Sequence, residues 1–298
     1  MVFNHLIGVR FPVGPPLNMK FLRVGKENQE KPAVLDNKGI IRDISSITND
    51  LSPSTLGLEL IDKIKQSDLS KLPEIDNNTR IGACVKNPEK FIGIGLNYSD
   101  HAEETGMKPP KEPIIFIKSN NCICGPNDNV VIPRNSKKTD WEVELGIIIG
   151  KRTKYISENN APGHIFGYCI VNDISEREFQ LERSGQWDKG KGSDTFGPIG
   201  PYIVTKDEIN NIQDLNLELK VNDKIMQKGN TKKMIFNVNF LVSYISNFIT
   251  LKPGDIITTG TPPGVGMAKK PQIFLKQGDE MTLSIDNLGF QKQKVASD

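Results

Sequence analysis

The stretch DWEVELGIIIG, from Asp140 to Gly150, holds two glutamates separated by a single valine and then runs into apolar sequence. In a strand, alternate side chains share a face, so Glu142 and Glu144 would point one way and Trp141, Val143 and Leu145 the other. One reading is a strand with one wet face. The run Gly146-Ile147-Ile148-Ile149-Gly150 argues instead for a strand soon buried on both faces. Neighbouring carboxylates at a dry interior repel each other unless a cation or basic group neutralises them. A third acid, Asp173, closes the apolar segment IFGYCIVND, where it could deliver a ligand or simply cap a helix or turn. Three carboxylates without His or Cys suit a hard divalent ion, Mg²⁺ or Mn²⁺, with positions left for water or substrate. They suit zinc poorly.

A second group lies in LNYSDHAEE, Leu96 to Glu104. Asp100 followed by Glu103 fits an acidic capping box that would start a short helix at His101. On that helix His101 and Glu104 are three apart and can touch. A carboxylate-held imidazole suits a general base, although a solvated ion pair has the same spacing. The glycine-rich run after Gly185 satisfies G-x-x-x-x-G-K, but Gly192 stands where a phosphate loop needs Ser or Thr, and the preceding segment reads as helix. What remains is a loop presenting Lys191, able to stabilise negative charge developing on a substrate. Thr261, in TGTPPGVG, offers a hydroxyl on a rigid turn.

The elements that must position these groups are mostly strands. The chain has 298 residues, 37% apolar and 25% charged, with a formal charge of +2. That describes an ordinary globular protein, too balanced in charge for nucleic acid to be its main partner. Cys84, Cys122, Cys124 and Cys169 form no zinc pattern and read as reduced thiols. No window approaches the ~20 apolar residues of a membrane span, and no signal peptide is evident, so a cytoplasmic protein is expected. Residues 1–18 read as an extended start or an appended remnant. Residues 19–78 read as a small N-terminal domain of short strands, with a hairpin turn at Asp36–Gly39, a helix over Leu58–Lys71 and a linker over Leu72–Asn78. Residues 79–298 form the larger, strand-rich part, with helices expected over Ile174–Ser184 and Met234–Phe248. The second of these carries a core stripe of Ile235, Val238, Leu241, Val242, Ile245 and Phe248. Strands outnumber helices without alternating with them, which argues against Rossmann and β/α-barrel folds.

The ordered motifs GLNYSDHAEE, EVE, VNDISEREFQ, GKGSDTFGPIGP and PGDIITTGTPPGVG resemble the fumarylacetoacetate hydrolase family over about residues 81–290. The resemblance implies an α+β fold with a mixed β-sheet rolled on itself, usually in a homodimer. It also implies Mg²⁺ or Mn²⁺ held by Glu142, Glu144 and Asp173, and a catalytic dyad of His101 and Glu104 with Lys191 near the metal. Arg177 and Gln180 would hold the carboxylate or keto group of a 2-keto acid, and Lys118 and Thr261 match further pocket positions. Within the family, SEREFQLERSGQWDKGKGSDTFGPIGP looks most like the hydrolases of 2,4-diketo-3-deoxy-L-fuconate and L-rhamnonate. The implied reaction is C–C hydrolysis of a 2,4-diketo acid to pyruvate and a carboxylic acid. Oxaloacetate-type decarboxylation and hydroxyheptadienedioate isomerisation are the alternatives the family contains.

Overall fold

The computed structural model describes residues 19–298; the reading given to residues 1–18 lies outside them. Two apolar runs without polar alternation form the centre of the main sheet, Val143–Ile149 and Ile165–Asn172, and every residue in both is buried. They pair antiparallel, with Val143 opposite Asn172 and Glu144 opposite Val171. Beyond Ile165–Asn172 the sheet continues through Gly197–Thr205, Lys20–Val24, Lys31–Leu35, Ile41–Asp43 and Glu74–Ile75. Beyond Val143–Ile149 it continues through Ile256–Thr258, Phe91–Gly95 and the edge strand Ile114–Lys118. Ile123–Cys124 joins Gly197–Thr205 in parallel and completes eleven strands. Ile256–Thr258 is also parallel to Phe91–Gly95, so the sheet is mixed.

A second sheet of five strands runs in the order Lys224–Asn230, Asn216–Val221, Glu280–Ile285, Gly289–Ser297 and Val130–Ile132. Asn216–Val221 and Glu280–Ile285 alternate buried and wetter positions, as a sheet covered on one face should. Their inward residues Leu217, Leu219, Met281 and Leu283 share one core with Val143, Leu145 and Ile147 of the main sheet. The expected strand-rich α+β architecture is therefore present, with the second sheet laid against the centre of the first.

Several local expectations change. Ile174–Ser184 is no regular helix. Ser175–Glu176 pairs with Thr139–Asp140, and a π-turn covers Glu178–Glu182. The cause is Glu176, whose buried carboxylate accepts from the Lys138 and Glu178 amides and from the Ser136 and Thr139 hydroxyls. The Met234–Phe248 helix begins at Val238, where the Asn237 side chain accepts from the Phe240 amide at 2.8 Å. Val238, Leu241, Val242 and Ile245 are its core face. Ile235 precedes the helix, and Phe248 is exposed at the end of a ring series through Phe236, Phe240 and Tyr244.

In the N-terminal part the hairpin turn forms as expected, with Asp36 Oδ1 accepting from the Lys38 and Ile40 amides. The helix spans Leu58–Lys65. The segment expected as a linker supplies the edge strand Glu74–Ile75. Arg23, buried, ties the first strand to three later segments. Its guanidinium donates to Asp50 at 2.7 Å, Ala83 O at 3.2 Å and Glu30 at 3.3 Å. Among the described residues no helix is long and apolar enough to cross a membrane.

Candidate active site

Antiparallel pairing decides where the acids meet. Glu142 and Glu144 stand at the start of the Val143–Ile149 strand, and Asp173 follows the end of its neighbour, so opposite chain directions bring all three to one edge. The Asp173 amide donates to Glu142 O at 2.9 Å and locks the junction. All three side chains are buried, and one oxygen from each lies within 4.8 Å of the others.

Three cations surround two of these acids. Lys191 Nζ bridges Glu142 Oε2 and Asp173 Oδ2, each at 2.7 Å. Lys118 Nζ donates to Asp173 Oδ1 at 2.6 Å and to the Lys191 carbonyl. Arg177 places Nη2 2.7 Å from Glu142 Oε1 and donates from Nε to Asp140 at 2.9 Å. Glu144 makes no ion pair among the described residues. It accepts from the Thr258 hydroxyl and, at 2.7 Å, from the Gly260 amide. Gly260 reaches it with φ +90°, a conformation that favours glycine, and a Cβ there would stand 2.8 Å from Asn97 Cβ.

The electrostatic result is asymmetric. Burial pushes the Glu142 carboxyl up, but Lys191 and Arg177 outweigh it and hold the group well below the usual carboxylate range. Burial together with the charges of Asp173 and Glu142 drives Glu144 well above that range. Burial opposes charge on Lys191, and Asp173 and Glu142 more than restore it. An all-oxygen donor set with one uncompensated acid fits a divalent cation such as Mg²⁺ or Mn²⁺, which would let all three carboxylates ionise together.

Beside this floor lies the helix Ser99–Thr105. It starts earlier than the sequence suggests, because Tyr98, still extended, already accepts the Ala102 amide at 2.9 Å. The Asp100–Glu103 capping box therefore does not form. Asp100 accepts from the adjacent His101 amide, and Glu103 is exposed. His101 Nδ1 and Glu104 Oε2 are 3.1 Å apart, and both Glu104 oxygens accept from the Gly264 amide at 3.0 Å. Burial raises the Glu104 carboxyl, but the His101 and Gly264 bonds outweigh it and keep it below its ordinary value. His101 lines the cleft, and its Nε2 has no partner among the described residues.

One open cleft is lined by Glu142, Glu144, Asp173, Arg177 and Lys191. Gln180 lines it and accepts from Arg177 Nη1 at 3.0 Å. Thr261 also lines it, but its hydroxyl already donates to Val143 O and accepts from Gln227. Lys118 is fully buried beneath the acids rather than in the wall. Sequence reasoning passed over Asp140, whose carboxylate accepts from Arg177 and from the Gly266 and Met267 amides. It also passed over Thr258 and Gln227, the latter accepting from the Val143 amide at 2.9 Å. Asp140 stood in the opening motif and could have been weighed; nothing local marks Gln227.

Residues 90–296 match the family model described as fumarylacetoacetate (FAA) hydrolase C-terminal, and the chain belongs to that family. A curated relative from Burkholderia orbicola (strain MC0-3), whose name assigns it provisionally to the hydrolases, is 53% identical over 278 residues, 93% of this chain and 99% of the relative. The solved fumarylacetoacetate hydrolase from psychrophilic Exiguobacterium antarcticum is 33% identical with a TM-score of 0.83, covering 94% of this chain and 100% of its own. The maleylpyruvate hydrolase of Sphingobium sp. SYK-6, solved with manganese(II) and pyruvate, is 27% identical with a TM-score of 0.79 over 94% of this chain and 99% of its own. A 2-hydroxyhepta-2,4-diene-1,7-dioate isomerase from Mycobacterium marinum is 31% identical with a TM-score of 0.75 over the same shares.

Proposed function

We propose that this protein hydrolyses the C3–C4 bond of a 2,4-diketo acid of the acylpyruvate type, giving pyruvate and a carboxylic acid. The observation that supports it is the meeting of three buried carboxylates with a carboxylate-held imidazole and a buried ammonium over one cleft. The manganese and pyruvate in the Sphingobium hydrolase add weight to the same reading.

Glu142, Glu144 and Asp173 would hold the divalent ion, which when bound supplies Lewis acidity toward the 2-keto acid. His101, fixed through Nδ1 by Glu104, takes a proton from water at Nε2, and the hydroxide adds to C4. The C3–C4 bond breaks with its electron pair passing to the pyruvate half as an enolate, whose charge faces the Lys191 ammonium. Return of the proton to C3 completes pyruvate, and the C4 half leaves as the carboxylic acid. Arg177, held by Asp140, and Gln180 orient the 2-keto acid head. A diketo sugar acid ending in a methyl group, of the fuconate or rhamnonate kind, is one acyl chain this scheme accommodates.

The likeness to the M. marinum isomerase favours a second reading, in which the same enolate forms without attack by water. Isomerisation or decarboxylation of oxaloacetate would then be the reaction. Mass spectrometry of products from the purified protein with Mg²⁺ or Mn²⁺ separates the two. Pyruvate plus a second acid from acylpyruvates, lost in His101→Ala and in EDTA, is the expected result. His101→Ala should lower kcat by about 10²–10⁴-fold. Turnover of oxaloacetate alone, or absorbance change without cleavage, would replace hydrolysis by the second reading.

A further inference from the structure

We infer that the acyl half of the substrate ends in an uncharged, carbon-rich group, and that Trp187 and Phe116 select it. The inference rests on the acylpyruvate reading and extends it to the leaving acid. It begins with two glycines in the strand FIGIG. A Cβ at Gly93 would stand 2.1 Å from Phe116 Cζ, and one at Gly95 would stand 2.4 Å from Trp187 Cζ3. The strand therefore carries no side chains there, and the two rings lie directly on its backbone. They meet tilted, at 5.7 Å between centroids and 58° between planes. Phe116 also comes within 5.2 Å of Lys191 Nζ, so the apolar wall starts where the charged floor ends. Met107 and Leu181, both exposed, line the cleft beside them.

The lysine, arginine and hydroxyl groups that line the cleft among the described residues are already engaged at its floor. Lys191 and Arg177, the only lysine and arginine lining it among the described residues, are both paired with buried carboxylates. The Thr105 hydroxyl donates to His101 O at 3.0 Å, and that of Thr261 is held between Val143 O and Gln227. A second carboxylate at the far end of the substrate would lose its hydration beside two rings with no unpaired lysine or arginine among the described lining residues to meet it. An alkyl, hydroxyalkyl or aromatic end would instead exchange water for ring surface.

Four compounds sharing one head test this: acetylpyruvate, hexanoylpyruvate, benzoylpyruvate and succinylpyruvate, whose tail ends in carboxylate. The wild type should show kcat/KM for hexanoyl- and benzoylpyruvate at least about tenfold above that for succinylpyruvate. Trp187→Ala should lower kcat/KM for the two longer uncharged compounds by about tenfold and change acetylpyruvate least. Trp187→Lys, at a part-exposed position, should reverse the order in favour of succinylpyruvate. Thermal melts of both variants check that the fold survives, and Trp187→Phe should restore most of the preference. A wild-type preference for succinylpyruvate, or a preference untouched by all three substitutions, would overturn the inference while leaving the hydrolase reading intact. Failure to cleave any of the four would remove the hydrolase reading first, and this inference with it.

Discussion

Glu144 differs from its two neighbours in being held by a hydroxyl and an amide rather than by a cation. Removing its charge and removing that of Glu142 should therefore act in opposite ways. In Glu144→Gln without metal, thermal stability should hold or rise, because the neutral amide keeps the uncharged state that burial and the neighbouring acids already favour there. Mn²⁺ affinity in calorimetric titration should fall at least about 10–100-fold, the loss typical even of outer partners to a metal. Glu142→Gln should instead destabilise the metal-free protein by about 3–5 kcal/mol, since Arg177 and Lys191 each lose a buried partner. Equal melts for the two variants would contradict this asymmetry. The three acids were legible in the sequence because charged residues beside unbroken apolar runs are anomalous at any distance. His101 and Glu104 were legible because three residues is a contact distance on a helix. Gln227 and Thr258 were not, because each acts through bonds to residues far along the chain.

At the level of elements, the inner strand pair sets the spacing of the site, and its packing leaves no room for adjustment. A Cβ at Gly146 would stand 2.7 Å from Val171 Cγ2 and 2.9 Å from Cys169 Sγ, both on the facing strand. Gly146→Ala should cost about 1–3 kcal/mol by overpacking. It should also weaken Mn²⁺ binding, because Val171 sits two residues before Asp173; an unchanged melt and titration would show that the pair has slack. These strands were readable from their apolar runs. The helices were less so, for a physical reason in each case. Buried Glu176 gathers amides and hydroxyls that a helix would have used differently. On Val238–Phe248 the apolar residues occupy two faces, and only one of them is core.

For the whole molecule, Arg23 and Asp50 join the early strands to the chain beyond residue 79. Burial pushes Asp50 up, but its bonds to Arg23 and Lys86 outweigh that and lower it from 3.8. A carboxyl lowered on folding contributes stability that is complete above its unfolded value and lost as pH falls through the folded one. Arg23→Met should accordingly move the midpoint of acid unfolding, followed by circular dichroism, to higher pH; a midpoint unchanged or lower would show that this junction does not report on acid stability. Saturating Mn²⁺ should raise the melting temperature by several degrees at a hundredfold excess over Kd, by about 2.7 kcal/mol of linkage. The carboxylates hang on sheet register, while Trp187, Met107 and Leu181 reach the cleft from segments outside the two sheets. The molecule is thereby divided into a part that cannot be edited and a part that can. A library confined to those three positions would vary the cleft wall without disturbing the carboxylates beneath, which makes this chain a practical chassis for redirecting substrate choice.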